Sequence, residues 1–258
     1  MQNMTTNWLI TITDKVYNML RQEYQILFFS SFGSWNYWLA KQWKSDFDFI
    51  AVIIPNKYSL INRTVINKTV EHNFWTWWKI DIKDIYTFFK SIEGLNYLEA
   101  LMWTQYRISK SIPQMRKLEK IIKEYIKDNR YVVAKRIEAQ LIHNAKKVLK
   151  LIEAENNNKD IDETKLRKLI TECMRLDNML IYLIKEEKLK FKLDDDYIKK
   201  IMNIRYWKSD YNKYLQNIFN IAKFGSIIPE HWKDNKKNYK AKFRNIRNEI
   251  LLHLEVCG

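Results

Sequence analysis

Glycine is scarce in this chain, four residues in 258 against a usual frequency near ~7%. Long glycine-rich loops of the Walker or dinucleotide-binding type are therefore excluded. Only two cysteines occur, Cys173 inside a helical pattern and Cys257 at the penultimate position, which is neither a disulfide framework nor a thiolate metal site. Four histidines and the absence of a Gly-x-Ser-x-Gly elbow set aside hydrolases built on a Ser-His-Asp triad. No run of ~18 apolar residues is present, and MQNMTTNWLITITDK carries neither a basic start nor a small-residue cleavage site. The expectation is a soluble, cytoplasmic protein with no membrane partner.

What the chain does have is apolar content, 47% hydrophobic residues, enough to bury a core. It also has a net charge of +15 that is unevenly placed. Residues 1–109 hold 11 Lys/Arg against 9 Asp/Glu, and residues 110–258 hold 34 against 21. A basic excess of that size points to a polyanionic partner, because Lys and Arg displace condensed counterions from phosphates.

Apolar residues Val16, Leu20 and Tyr24 recur at helical spacing, which predicts a short helix over 13–24. The apolar, β-prone runs at 26–32, 47–54 and 75–82 predict strands. In the third run Trp75, Trp77, Lys79 and Asp81 alternate against Thr76, Trp78, Ile80 and Ile82, so Asp81 is expected on the face opposite Ile80 and Ile82. After Lys83 the period changes, and helices are predicted over 83–92, 95–109, 114–127, 130–155, 163–188, 194–203, 207–223 and 236–254. Breaks fall at Gly94, Pro113, the polar stretch 156–160 and the segment 225–229. The fold class so read is α+β, a small mixed-sheet domain over 1–109 followed by a basic, all-helical domain over 110–258.

One pattern carries chemistry: Gly33-Ser34, eleven further residues, then Asp46-Phe47-Asp48, with an apolar run before the glycine and another around the aspartates. Strand residues at i and i+2 share a face, so Asp46 and Asp48 are expected to converge on the same divalent cation, with Phe47 and Phe49 turned away. Paired carboxylates favour a hard ion such as Mg²⁺ or Mn²⁺ that keeps phosphate oxygens among its ligands. Gly33 admits close approach of a triphosphate, and the Ser34 hydroxyl adds a donor to it. A third carboxylate on a neighbouring strand is required, with Asp81 the first choice, Asp84 the second and Glu71 the third. Lys41 and Lys44, just before the aspartates, are placed to neutralise a triphosphate.

FGSWNYWLAKQWKSDFDFIAVII resembles the signature of the DNA polymerase β nucleotidyltransferase superfamily, in which Gly-Ser precedes Asp-x-Asp by about a dozen residues. DIKDIYTFFKSIEGLNYLEALMW, residues 81–103, is similar to a segment of phage and bacterial predicted nucleotidyltransferases, some linked to RNA repair. There Asn96 and Glu99 stand at an Asn-x-x-x-Glu position, and Tyr97 replaces a frequent proline. The resemblance implies an α/β catalytic core, Mg²⁺, a nucleoside triphosphate donor and transfer of a nucleoside monophosphate. It implies Gly33 and Ser34 on the triphosphate, and Asp46, Asp48 and Asp81 on the metal. A spacer rich in tryptophan (Trp35, Trp38, Trp43) departs from the smaller residues common in that family.

The tract 233–247 concentrates seven basic residues with Tyr239 and Phe243 among them, a composition suited to phosphate contact and base stacking. Lys236, Lys237, Lys240, Lys242, Arg244 and Arg247 are the nucleic-acid-binding candidates. His143, within an apolar helix, reads as a hydrogen-bonded core residue. Three functions follow: nucleotide transfer to an RNA hydroxyl such as a tRNA end, the same transfer to a protein or small molecule, or a non-catalytic nucleic-acid-binding protein of phage type. A protein partner stays open in each.

Overall fold

The computed structural model describes residues 2–32, 47–55, 66–74, 76–93, 109–190, 193–206, 210–225, 228–235 and 237–257. The chain is α+β: a mixed sheet formed mainly in its first part, then a largely helical remainder. It divides into two compact units, one of Met1–Tyr125 with Asn238–Gly258 and one of Ile126–Lys237. The C-terminal helix falls within the first unit, where apolar residues cover it.

In the first unit, α1 (Gln2–Leu20) leads into β1 (Gln25–Phe32), followed by β2 (Phe47–Ile54), β3 (Asn67–Phe74), β4 (Thr76–Asp84), α2 (Ile85–Glu93) and β5 (Ser109–Ser111). Then come α3 (Pro113–Asp128), which runs on to the start of the second unit, and the last helix of the chain. Among the described residues the sheet has five strands in the order β3-β4-β2-β1-β5. β2 and β4 run parallel and the other pairs are antiparallel. Because side chains alternate along a strand, two faces result. One face presents Phe29, Phe47, Phe49, Ala51, Ile53, Trp78, Ile80 and Ile82, which bury against Val16 and Leu20 of α1. Its phenylalanines are stacked, Phe29 on Phe49 at 5.3 Å and Phe49 on Phe47 at 6.3 Å between ring centroids.

The opposite face carries the buried Phe28, Ile50 and Val52 and is packed by α2, which contacts both β2 and β4. Asp84 starts that helix: its Oδ1 accepts the amide N–H of Thr87 at 2.7 Å, an N-terminal cap. The other carboxylate oxygen accepts the Ile66 amide at 2.7 Å, and the Asp84 amide donates to the Ile66 carbonyl at 2.9 Å. Asp84 is 2% exposed, so its charge is held by those donors.

The second unit contains α4 (Arg130–Asn156), α5 (Glu163–Glu186), α6 (Asp195–Tyr206), α7 (Asn212–Phe224) and a short 3-10 turn, Glu230–Asn235. α4 packs along α5 and α7, and α5 along α6. Val133, Ile137, Leu141 and Val148 of α4 and Leu166, Ile170, Met179 and Leu183 of α5 are fully buried, each recurring at helical spacing. Asp162 caps α5 through the Lys165 amide at 3.0 Å. Gly225 ends α7 at φ 71°, and a Cβ there would meet the Glu138 carboxylate oxygen at 3.1 Å, which explains glycine at that position. The chain's last helix, α8 (Lys240–Cys257), belongs to the first unit.

Candidate functional site

The face of the sheet opposite α1 changes character along β2. Reading across it in register, Phe32 of β1 stands opposite Asp48 of β2, Asp48 opposite Lys79 of β4, and Lys79 opposite Glu71 of β3. The next row is Ser30, Ile50, Asp81 and Thr69. Asp48 and Asp81 therefore share one face, on adjacent parallel strands and offset by two residues. With strands about 4.8 Å apart and a rise of about 3.3 Å per residue, their Cα atoms are about 8 Å apart, a diagonal that two carboxylates can close onto one or two shared cations.

Both aspartates are half-buried, next to the fully buried Ile50. Asp81 Oδ1 accepts the Thr69 hydroxyl at 2.8 Å, which anchors one carboxylate oxygen. Lys79, between the two acidic positions on the same face, pairs with Glu71 at 3.4 Å. The expectation that Asp81 lies opposite Ile80 and Ile82 agrees with this register. Asp84, the second choice for a third carboxylate, lies on the other face and is consumed as a helix cap. Glu71 is on the aspartate face but engaged with Lys79.

Phe32, the last residue of β1, abuts Asp48, so the chain leaves β1 beside the start of β2. Gly33, Ser34, Lys41, Lys44 and Asp46, between those two strands, lie outside the described residues, as do Asn96, Tyr97 and Glu99. Among the described residues no group of three His, Cys, Asp or Glu side chains is placed to hold a metal ion. The donor set that is described, two carboxylates with a hydroxyl orienting one of them, is made of oxygen alone and so fits a hard divalent cation rather than a thiophilic one.

Sequence reasoning missed Thr69 and Lys79. β3 reads NKTVEHNF, with no apolar alternation, because it is an edge strand whose Asn67, Lys68, Thr69 and Glu71 are exposed. The one available signal was the β-branched Thr69-Val70 pair next to a strand of opposite polarity pattern.

The two aromatic residues of the basic tract near the C-terminus are turned inward. Tyr239 is 5% and Phe243 1% exposed. They form an aromatic cluster with Tyr125, at 5.3 Å from each ring, and Phe243 also meets Phe89 at 6.4 Å. They are core residues of the first unit and not a stacking platform for bases. Lys242 pairs with Glu124 at 3.2 Å and lies over the Tyr239 ring, while the Arg247 guanidinium lies over Tyr86. Lys237 pairs with Asp128 at 3.1 Å. Lys240 and Arg244 are exposed, and Lys236 lies outside the described residues. His143, expected in the core, is exposed on α4 instead, since the helix turns positions 141, 144, 145 and 148 inward and 143 outward. Burial pushes the Cys173 thiol up to about 12, with the negative charges of Glu172 and Asp177 adding to it, so this cysteine is a packed side chain and no nucleophile.

No helix among the described residues is long and apolar enough to cross a membrane. No protein-family model matches the chain, and no curated protein matches it. Among solved structures, it is similar to a nucleotidyltransferase-like protein from Exiguobacterium sibiricum 255-15. The identity is 9% and the TM-score 0.34, over 93% of this chain and 74% of the other.

Proposed function

We propose that the chain is a metal-dependent nucleotidyltransferase that moves a nucleoside monophosphate from a nucleoside triphosphate to a hydroxyl on RNA, such as a tRNA end. The supporting observation is the placement of Asp48 and Asp81 on one face of parallel neighbours, at the point where β1 hands the chain to Gly33-Ser34. Asp46, two positions before Asp48, is the remaining carboxylate of the proposed set, and Lys41 and Lys44 are the proposed triphosphate contacts. Asp48 and Asp81 would hold Mg²⁺ or Mn²⁺, which when bound supplies charge neutralisation for the phosphates and a lower pKa for the attacking hydroxyl. Thr69 donates to one oxygen of Asp81, which helps to orient the carboxylate. In the proposed reaction the hydroxyl oxygen bonds to the α-phosphorus and the bond from that phosphorus to the bridging oxygen breaks. Pyrophosphate leaves, and the hydroxyl proton passes to a carboxylate or to water.

The test is incubation with each α-labelled triphosphate, Mg²⁺ and tRNA, with protein and aminoglycoside acceptors in parallel. Label on RNA that falls by about three decades in Asp48→Asn, equivalent to ~4 kcal/mol of transition-state stabilisation, supports the reading. Label on protein or aminoglycoside moves the acceptor but keeps the chemistry. No transfer to any acceptor, with either metal, removes it.

A further inference from the structure

The longest helix of the second unit carries a charged face that the tract near the C-terminus does not match. Short of the exposed Glu153 and Glu155 at its C-terminal end, α4 exposes positions 135, 136, 139, 140, 143, 146, 147 and 150. They recur every three to four residues and so form one continuous stripe. Their occupants are Lys135, Arg136, Ala139, Gln140, His143, Lys146, Lys147 and Lys150. From Arg136 to Lys150 the stripe is about 21 Å long at ~1.5 Å per residue. The one carboxylate of α4 in that span, Glu138, is 7% exposed, turned inward and paired with Lys135 at 2.7 Å. Lys146, Lys147 and Lys150 make no ion pair among the described residues. In the tract 233–247, by contrast, Lys233, Lys237 and Lys242 each already have a carboxylate partner.

We infer that this face of α4 is a docking surface for the phosphodiester backbone of double-stranded RNA. Cations without intervening acids gain from counterion release at every phosphate they meet. Single strands are held by cations interleaved with exposed aromatic rings, and the stripe has no aromatic residue; recognition by charge alone suits a duplex, whose bases are not available for stacking. An anionic membrane surface is disfavoured, because an interfacial helix inserts its apolar face, whereas Val133, Ile137, Leu141 and Val148 of α4 are fully buried within the unit. The inference rests on the proposed function for its choice of RNA, and it moves the contact surface from residues 236–247 to α4.

The experiment is fluorescence anisotropy of the full chain with a labelled RNA duplex of about 16 base pairs across a salt series. The Lys146→Gln, Lys147→Gln, Lys150→Gln triple variant should bind about tenfold or more weakly. It should also lower the slope of log affinity against log salt by about 3. A second triple, Lys159→Gln, Lys188→Gln, Lys199→Gln, removes the same charge from exposed positions elsewhere in the unit and should retain most of the affinity. Thermal midpoints of both triples should match the parent, since all six side chains are exposed. Equal affinity in the first triple, equal loss in both, tighter binding to the single strand, or capture by phosphatidylserine vesicles without duplex binding would each overturn the inference. Asp48→Asn should bind the duplex as the parent does. A failure of nucleotide transfer with intact, stripe-dependent duplex binding would thus count against the catalytic reading and not against this surface.

Discussion

The two faces of the β sheet are built from the same strands, one residue out of phase, and they are put to opposite uses. On the α1 side every strand position of β2 and most of β4 is filled by an apolar side chain, and Phe29, Phe47 and Phe49 form a stacked file with no exposed surface to speak of. On the other side the same two strands offer Asp48, Lys79 and Asp81, half-buried and charged. The contrast shows how a short strand can carry a packed face and a charged face at once. Alternation makes the faces independent, so changes on one are expected to leave the other intact.

Truncation on the packed side should have the largest effect. Phe49→Ala deletes a fully buried ring and should cost about 3–5 kcal/mol, read as the midpoint of urea unfolding. Asp48→Asn, the adjacent residue on the other face, should shift that midpoint by no more than about 1 kcal/mol, so comparable losses in the two variants would break the separation of the faces. Asp84→Ala tests the carboxylate that sits with the apolar side. It removes the cap of α2 and orphans the Ile66 amide, for a loss of about 2 kcal/mol, while any transfer activity that survives unfolding controls should persist. The smallest effect is expected from Thr69→Val, which deletes the hydrogen bond to Asp81 at a cost of about 1 kcal/mol or less. Its readout is weaker Mn²⁺ binding, followed by electron paramagnetic resonance, at unchanged thermal midpoint; unchanged Mn²⁺ affinity would show that Asp81 needs no orienting partner.

Much of this arrangement could be read from residue order. β2 is apolar over 47–54 apart from Asp48, and its observed bounds are those of the run. The side on which Asp81 falls followed from the alternation in WKIDI. The helices from Pro113 to Glu186 have strong 3.6-residue periodicity and lie within two residues of their expected limits. What was not legible lacks a local signal. β3 and β5 are edge strands of polar sequence, stabilised by ladder hydrogen bonds rather than by side-chain burial. The role of Asp84 depends on Ile66, eighteen residues away, and the inward turn of Tyr239 and Phe243 depends on Tyr125 and Phe89. In composition alone, aromatic residues among lysines look the same whether they meet a base or a core.

The bonds between Asp84 and Ile66 carry a consequence for the order of assembly. They close the β3–β4 hairpin and its following helix into a segment of short sequence separation, of the kind that forms early in folding. The parallel pairing of β2 with β4 joins residues such as Phe47 and Trp78 and brings no hairpin with it, so it belongs among the late, long-range contacts. Asp48 and Asp81 come onto neighbouring strands only through that pairing. The acidic pair is therefore expected to appear on refolding after the hairpin and to separate before it under mild denaturant, with amide exchange along β2 rising before that of the hairpin.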